Sequence, residues 1–495
     1  MSERHALIIG GGLAGLSSGC YARMSGYRAT IVEHNIALGG VCTAWPRGEY
    51  LIDGCIHWLT GGPFSQAYEE LGIVPSVELR TLEEWLTYRN VEDGLTIRIT
   101  RDLDALARDL SAVSPEDADE IGRVMRGAEK FADLDPGFDR PQELLSLRDQ
   151  IRALWNLRDA VSALVHFRNP MARWGAEHLK SEPLRRFFAR LIPPEAPALF
   201  VLMVLGYLRR GWLSRPVGGT ARFRDAVIAR YQALGGEVRL HATVDEILVH
   251  DGVAKGVRLA DGTMLEADVV ISTASAPETT LRLLGGRWGA DETRHRLEHW
   301  KLFQPIVLAS FGVATPLEGT PSLMIIDGIE PIEIGGHRNE YLTVRVCNDD
   351  PCFAPPGHTV VQTMLATDYE WWATRASQYS NEKDRIAEIA RAELTKYLPA
   401  MRDAVRVVDV ATPLTYWNKA RSWRGAYEGW LPSSDSFFGH AKKTFLGLGG
   451  FYMAGQWVEP GGGVPTALMS GRQVVQLVCA VDGRPFVSST GSSAA

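Results

Sequence analysis

Three glycines near the amino terminus, Gly10, Gly12 and Gly15, follow the apolar run Ala6–Ile9 and precede a helix-compatible stretch from Leu13 to Met24. This is the G-x-G-x-x-G arrangement in the order strand, turn, helix. Gly10 permits the tight turn, Gly12 lets a pyrophosphate approach the backbone, and Gly15 lets the helix pack on the strand. The free N–H groups at the helix start, at Leu13 and Ala14, then face the anion. A second strand-like run, Ala29–Val32, ends in Glu33, 18 residues beyond Gly15, followed by His34. A carboxylate there accepts hydrogen bonds from ribose hydroxyls, so the pattern predicts an adenine dinucleotide.

A second glycine cluster lies near the other end, with Gly455 followed by Gly461, Gly462 and Gly463. Val464 and Pro465 open a helix directly after it, Pro465 sitting where a missing N–H is tolerated. The positive end of that helix would stabilise charge at the N1/C2 carbonyl edge of a reduced flavin. A nicotinamide enzyme needs one strand-turn-helix unit, whereas FAD stretched between both ends of the chain uses two. A glycine cap with a surface loop is the alternative reading of this segment.

The elements that must position these residues follow from the hydrophobic pattern. Residues 6–33 form a βαβ unit that begins a parallel sheet. From about 80 to 210 the spacing turns helical with few strand signals, as in Leu144–Val165. After PVGGT, the residues Phe223, Val227, Tyr231 and Leu234 mark a helix stopped by Gly235 and Gly236. A meander of short strands follows, turned at Asp251-Gly252 and Asp261-Gly262 and ending in Val269–Ile271. Alternating segments at 306–313, 341–346 and 360–365 predict a second, mostly antiparallel sheet.

The expected fold is α/β: a Rossmann-type dinucleotide domain with a β-meander crossover, plus a discontinuous α+β substrate domain carrying a helical insertion. Residues 1–80, 211–290 and 405–485 are assigned to the first, 81–210 and 291–404 to the second. The polar stretch 486–495 is expected to be a disordered tail.

At 495 residues, 45% hydrophobic and 22% charged, the chain has ample material for two cores. A net charge of −7 gives no field for collecting nucleic acid. Six cysteines without a CxxC spacing imply reduced thiols, and Cys347, Cys352 and His358 read as packing residues, so no metal is expected. No signal-peptide order precedes the first strand, which implies the cytoplasm. The apolar segment Ala196–Leu208, 13 residues long, falls short of the roughly 20 needed to span a bilayer. Its part Leu199–Leu208, flanked by Arg209 and Arg210, would line a lipid-substrate tunnel, touch one membrane leaflet or form a core helix.

Three blocks carry a family resemblance: IIGGGLAGLSSGCYARMSGYRATIVEHN with LGG and IDG after it, RPVGGTARFRDAVIARYQALGGEVRLHATVDEI, and FYMAGQWVEPGGGVPTALMSGRQVV. In order and spacing the chain resembles the phytoene desaturase and carotenoid isomerase group of FAD-dependent oxidoreductases, which share a fold with the flavin amine oxidases. The resemblance implies that Gly10, Gly12, Gly15, Glu33 and His34 hold the ADP half of FAD, with Gly39, Gly40 and Val41 along the pyrophosphate and the Val244 backbone at the adenine. Gly455, Gln456, Gly462, Gly463 and Val464 would face the ribityl chain and the ring. Val41 stands where the family normally has arginine, leaving the phosphates to backbone N–H groups or Arg47. Gln456 stands where many relatives have aspartate.

Such enzymes pass a hydride to flavin N5, and a desaturase must also remove a proton from the neighbouring carbon. His57, Trp457, Glu459, Tyr427 and Arg424 are the candidates from segments expected near the ring. The resemblance favours dehydrogenation of a lipophilic polyene- or isoprenoid-like substrate, with peripheral membrane contact left open. A flavin amine oxidase, a redox-neutral isomerase or saturase, and a non-catalytic FAD-binding protein are the alternatives.

Overall fold

The computed structural model describes residues 3–133, 137, 139–157, 160–433, 435, 436, 439, 441–459 and 461–489. Its nucleotide-binding part is built on a parallel five-stranded sheet in the order Glu237–Arg239, Arg28–Val32, His5–Ile9, Val269–Ser272, Phe451–Met453. Strands from the beginning, middle and end of the chain thus lie side by side. Apart from the edge strand Glu237–Arg239, they read as largely apolar runs because helices and the meander cover both faces. Val269–Ser272 therefore does not extend the meander, as the sequence suggested. It inserts between the first strand and the last, pairing Ile8 with Ile271 and Ile271 with Tyr452.

The meander itself comprises Val244–His250, Val253–Leu259 and Met264–Glu266. Its first turn has both Asp251 and Gly252 at positive φ, 49° and 74°, the geometry that matches strand twist in a two-residue hairpin.

The first helix, Leu13–Met24, packs along the last, Gly463–Asp482. Small residues allow the close approach: a Cβ at Gly471 would stand 2.7 Å from the Ala14 carbonyl oxygen. The Ser17 hydroxyl donates to the Leu468 carbonyl at 2.6 Å. Gly463–Asp482 is the one described helix long and apolar enough to cross a bilayer, yet it is largely packed into this core. Order continues past residue 485, where a disordered tail was expected. Phe486 packs on Tyr21 with ring centroids 5.6 Å apart, and the Val487 N–H donates to Ser25 Oγ at 3.1 Å. Residues 490–495 lie outside the described residues.

The second sheet has seven strands in the order Val405–Ala411, Ile306–Val313, Thr359–Ala366, His337–Cys347, Leu323–Ile334, Glu84–Asn90, Thr96–Thr100. Its last two strands come from the stretch read as helical. Their alternation of buried Leu86, Tyr88, Ile97 and Ile99 with polar residues is short, and the parallel pairing to Leu323–Ile334 that fixes it is remote in sequence. Val405–Ala411, grouped by sequence with the nucleotide-binding segments, is this sheet's other edge.

Helices from Leu103 to Arg209 cover the cavity side. Ala198–Arg209 packs on Ala118–Ala132, where a Cβ at Gly206 would stand 2.3 Å from the Ala128 carbonyl oxygen. Leu199, Leu202, Leu205 and Leu208 are each 1% exposed or less, so this helix packs into the interior.

Candidate functional site

One continuous cavity of about 1120 Å³ runs between the two sheets and the helical layer. Gly10, Gly12, Leu13, Ala14, Glu33, His34, Gly39, Gly40, Val41 and Val244 line its nucleotide side. Gly15 does not line it. A Cβ there would lie 2.0 Å from the Gly10 carbonyl oxygen, so its role is the close packing of helix on turn. Gly12 is different: a Cβ there would meet nothing nearer than Gly40 Cα at 3.9 Å and would project into open space. The backbone of this loop is zipped to the double glycine by the Gly39 N–H donating to the Gly11 carbonyl at 2.8 Å.

Glu33 is held rather than free-swinging. Its Oε2 accepts the Gly11 N–H at 2.6 Å and its Oε1 the Asn35 N–H at 2.7 Å. The carboxylate oxygens keep further lone pairs for hydroxyl donors. His34 Nδ1 lies 2.7 Å from Thr243 Oγ1. The Val244 carbonyl accepts from Arg282 Nη2 at 3.0 Å.

Arg47, one of the two devices suggested for the phosphates, is turned away. Its Nε donates to Asp409 Oδ1 at 2.6 Å and it does not line the cavity. Arg224 is the arginine packed on this loop, its stem against Gly39 and its Nη1 3.3 Å from Thr43 Oγ1.

The middle of the cavity is assembled by two motifs that lock together. Asp53 of the IDG motif accepts the Thr220 N–H at 3.0 Å and the Thr220 hydroxyl at 2.5 Å, and Thr220 Oγ1 in turn accepts the Ile56 N–H at 2.9 Å. This fixes the loop that carries His57 into the cavity. The His57 carbonyl accepts from Arg215 Nε at 2.6 Å. Burial, then the charges of Arg345 and Arg215, push the imidazole down to about 3, so it is neutral at any physiological pH.

From the carboxyl-terminal block Gly455, Gln456, Trp457, Glu459, Gly462, Gly463 and Val464 line the same space. Gly455 has φ 102° and donates its N–H to Ser470 Oγ at 2.7 Å. Gln456 Nε2 donates to the Tyr427 carbonyl at 2.9 Å. Trp457 is buried edge-on to Trp430, with centroids 4.9 Å apart. Glu459 is engaged by Lys443, a fully buried lysine.

Of the two candidates in RGAYEGW, Tyr427 lines the cavity, its hydroxyl pushed well up by burial. Arg424 does not; it faces Glu370 at 3.3 Å on the outside. Between Tyr427 and Gly429 lies a residue the sequence reading passed over. Glu428 faces the cavity, makes no hydrogen bond among the described residues, and is pushed up to about 7 by burial. Its backbone abuts Gly462, where a Cβ would fall 2.6 Å from the Glu428 carbonyl oxygen. Nothing in residue type or spacing separates Glu428 from a solvated loop acid; only its place beside the second glycine cluster does.

Beyond this point the walls are apolar: Phe131, Leu164, Leu199, Met203 and Phe303 from the helical layer and its surroundings, Trp85, Ile306 and Met364 from the seven-stranded sheet.

A glycine cradle open at Gly12, an anchored acid at the second strand and a helix N-terminus across the cavity together fit an extended dinucleotide with an apolar-walled chamber beside it. The fold and site define a two-part dinucleotide-dependent enzyme. The model of the flavin containing amine oxidoreductase family matches residues 13–479, and the chain belongs to that family. It is an FAD-dependent oxidoreductase.

Its relatives include a neurosporene-forming phytoene desaturase of Rhodobacter capsulatus, 25% identical, with 96% of this chain and 93% of the relative covered. Prolycopene isomerase 2 of an Oncidium hybrid cultivar is 24% identical, covering 97% and 84%. Among solved structures, a putrescine oxidase variant superposes with a TM-score of 0.65 over 97% of this chain and 99% of its own, at 16% identity.

Proposed function

We propose that the protein dehydrogenates a lipophilic, polyene- or isoprenoid-like substrate, removing a hydride from one carbon and a proton from its neighbour. The observation that carries this reading is the continuity of one cavity from the glycine cradle to the apolar chamber. FAD, when bound in the cradle, supplies the two-electron acceptor for the hydride. The first and last strand-turn-helix units hold the cofactor, and the seven-stranded sheet with the helical layer holds the substrate.

In this scheme Gly10, Gly12 and the Leu13 and Ala14 N–H groups receive the pyrophosphate, and Glu33, oriented by two backbone donors, receives the ribose. Trp85, Phe131, Leu199 and Phe303 exclude water and align the chain of the substrate. Glu428 accepts the proton: it is shielded, without a partner among the described residues, and ionises near neutral pH. His57 remains neutral and shapes the middle of the cavity. Glu459, already engaged by Lys443, serves to hold the carboxyl-terminal loop.

Access is supplied by the helices Leu147–Leu157 and Val161–His166. Leu147, Ile151 and Trp155, four residues apart, are 73%, 57% and 66% exposed, and Val161 and Val165 are 48% and 57% exposed. Leu164 on the same short helix lines the cavity. An apolar stripe outside, next to a wall residue inside, suits peripheral contact with the bilayer in which such a substrate dissolves.

Anaerobic mixing tests the reading. A conjugated or partly conjugated polyene should bleach the flavin absorption of the purified protein, and aliphatic amines should not. Bleaching by amines alone would replace the proposal with an amine oxidase.

A further inference from the structure

We propose that Glu120, His166 and His178 form a binding site for a divalent first-row transition ion in the helical layer, separate from the dinucleotide cavity. None of the three lines that cavity. They come from three different helices, Ala118–Ala132, Val161–His166 and Met171–His178, and one nitrogen or carboxylate oxygen from each lies within 4.8 Å of the others. His166 Nε2 is 2.5 Å from Glu120 Oε1, and the two imidazole rings are 4.4 Å apart, inclined at 42°.

The chemistry of the set is that of a metal site. Two imidazoles and one carboxylate match zinc and its neighbours, with further positions left for water. Ligand atoms around a tetrahedral ion with bonds of about 2.0 Å stand roughly 3.3 Å apart, so the pair at 2.5 Å opens slightly and the third ligand closes in. Rotamer adjustment alone covers such distances.

The surroundings orient the ligands as second-layer groups do. Arg123 Nη1 takes the other Glu120 oxygen at 3.0 Å, leaving one oxygen to face the histidines. Phe167 stands edge-on to His166 at 4.7 Å and Trp174 flanks His178 at 6.3 Å. Each histidine is the last residue of its helix, where a cation is favoured.

A histidine–carboxylate hydrogen bond by itself explains Glu120 and His166 but gives no reason for the second imidazole. The His178 ring makes no hydrogen bond among the described residues. Bound by all three, an ion would clamp together the helices that carry Phe131 and Leu164 to the cavity wall.

The test uses chelator-treated, flavin-loaded full-length protein, with Zn2+ followed by calorimetry and Co2+ by its visible absorption. One equivalent of Zn2+ should bind, raise the unfolding temperature, and be displaced by chelator. His178→Ala should weaken binding by at least about 100-fold, beyond what loss of a mere orienting group costs. His178→Cys should restore it and add a thiolate-to-cobalt absorption band that a surface site elsewhere would not produce. Flavin absorption reports that each variant has folded, with His178→Gln as the replacement should the alanine variant fail. Stoichiometric Zn2+ leaving the protein unchanged, Zn2+ affinity equal in wild type and the alanine or glutamine variant, or a cysteine variant without the new band would each overturn the site.

Discussion

Glu428 and Gly12 sit at opposite ends of the chemistry and give opposite kinds of test. Burial lifts the Glu428 carboxyl to about 7, above an ordinary glutamate, so a proton-accepting role requires the anion. Under anaerobic single-turnover conditions the rate of flavin bleaching should rise through about pH 7 and level off above it. Glu428→Gln should lower the plateau by about 100-fold and remove that limb, consistent with the usual range for a lost acid–base group. An unchanged pH profile in the glutamine variant would dismiss the role. Linkage adds a stability readout. Because the folded state binds this proton more tightly than the unfolded chain, the group's contribution is full in acid and is lost as the pH rises through about 7. Wild type should therefore lose stability relative to Glu428→Gln across that window. Gly12 tests the cradle instead. Its missing Cβ faces open space, so Gly12→Val should fold but purify colourless, as its side chain occupies the place of the pyrophosphate. Full retention of flavin absorption would remove this turn from the binding site. The placement of the glycine turn and Glu33 on the cavity was legible in the sequence because it depends on local backbone. Glu428 was not, because its pKa is made by residues folded around it.

At the level of elements, legibility followed the range of the contacts. The first βαβ unit, the Asp251-Gly252 turn and the three antiparallel segments between 306 and 366 carry their periodicity within one element. The strand Glu84–Asn90 does not, since its place depends on a parallel neighbour some 240 residues away, and Thr96–Thr100 joins the sheet only through it. Val269–Ser272 shows the same limit, being an apolar run whose partners decide whether it ends a meander or centres a sheet. Helix packing offers a check on the geometry itself. Gly206→Ala should raise intrinsic helix propensity by about 1 kcal/mol. The added Cβ would nonetheless stand 2.3 Å from the Ala128 carbonyl oxygen, on a backbone with no slack. Overpacking costs about 1–3 kcal/mol, so the net change should be a loss of up to about 2 kcal/mol in denaturant unfolding. A gain in stability would mean that Ala118–Ala132 and Ala198–Arg209 are less tightly joined than described.

For the molecule as a whole, the question is how a substrate with no affinity for water reaches an apolar-walled chamber inside the protein. Leu199–Leu208, the most apolar segment in the sequence, cannot be the answer, because the fold spends it on the interior against Ala118–Ala132. The exposed apolar residues are concentrated instead on Leu147–Leu157 and Val161–His166, and Leu164 connects that outer stripe to the cavity wall. Since hydrophobic transfer is worth about 25 cal/mol per Å2, several large side chains entering a bilayer together give reversible attachment rather than permanent insertion. A variant with Leu147→Ser, Ile151→Ser and Trp155→Ser should therefore keep its flavin and its unfolding temperature but lose co-sedimentation with liposomes. Turnover of substrate dissolved in those liposomes should fall in parallel, while turnover of the same substrate in detergent micelles should change far less. Equal losses in both media would place the stripe in the catalytic architecture rather than at the membrane, and unchanged sedimentation would move the membrane contact to another face of the protein.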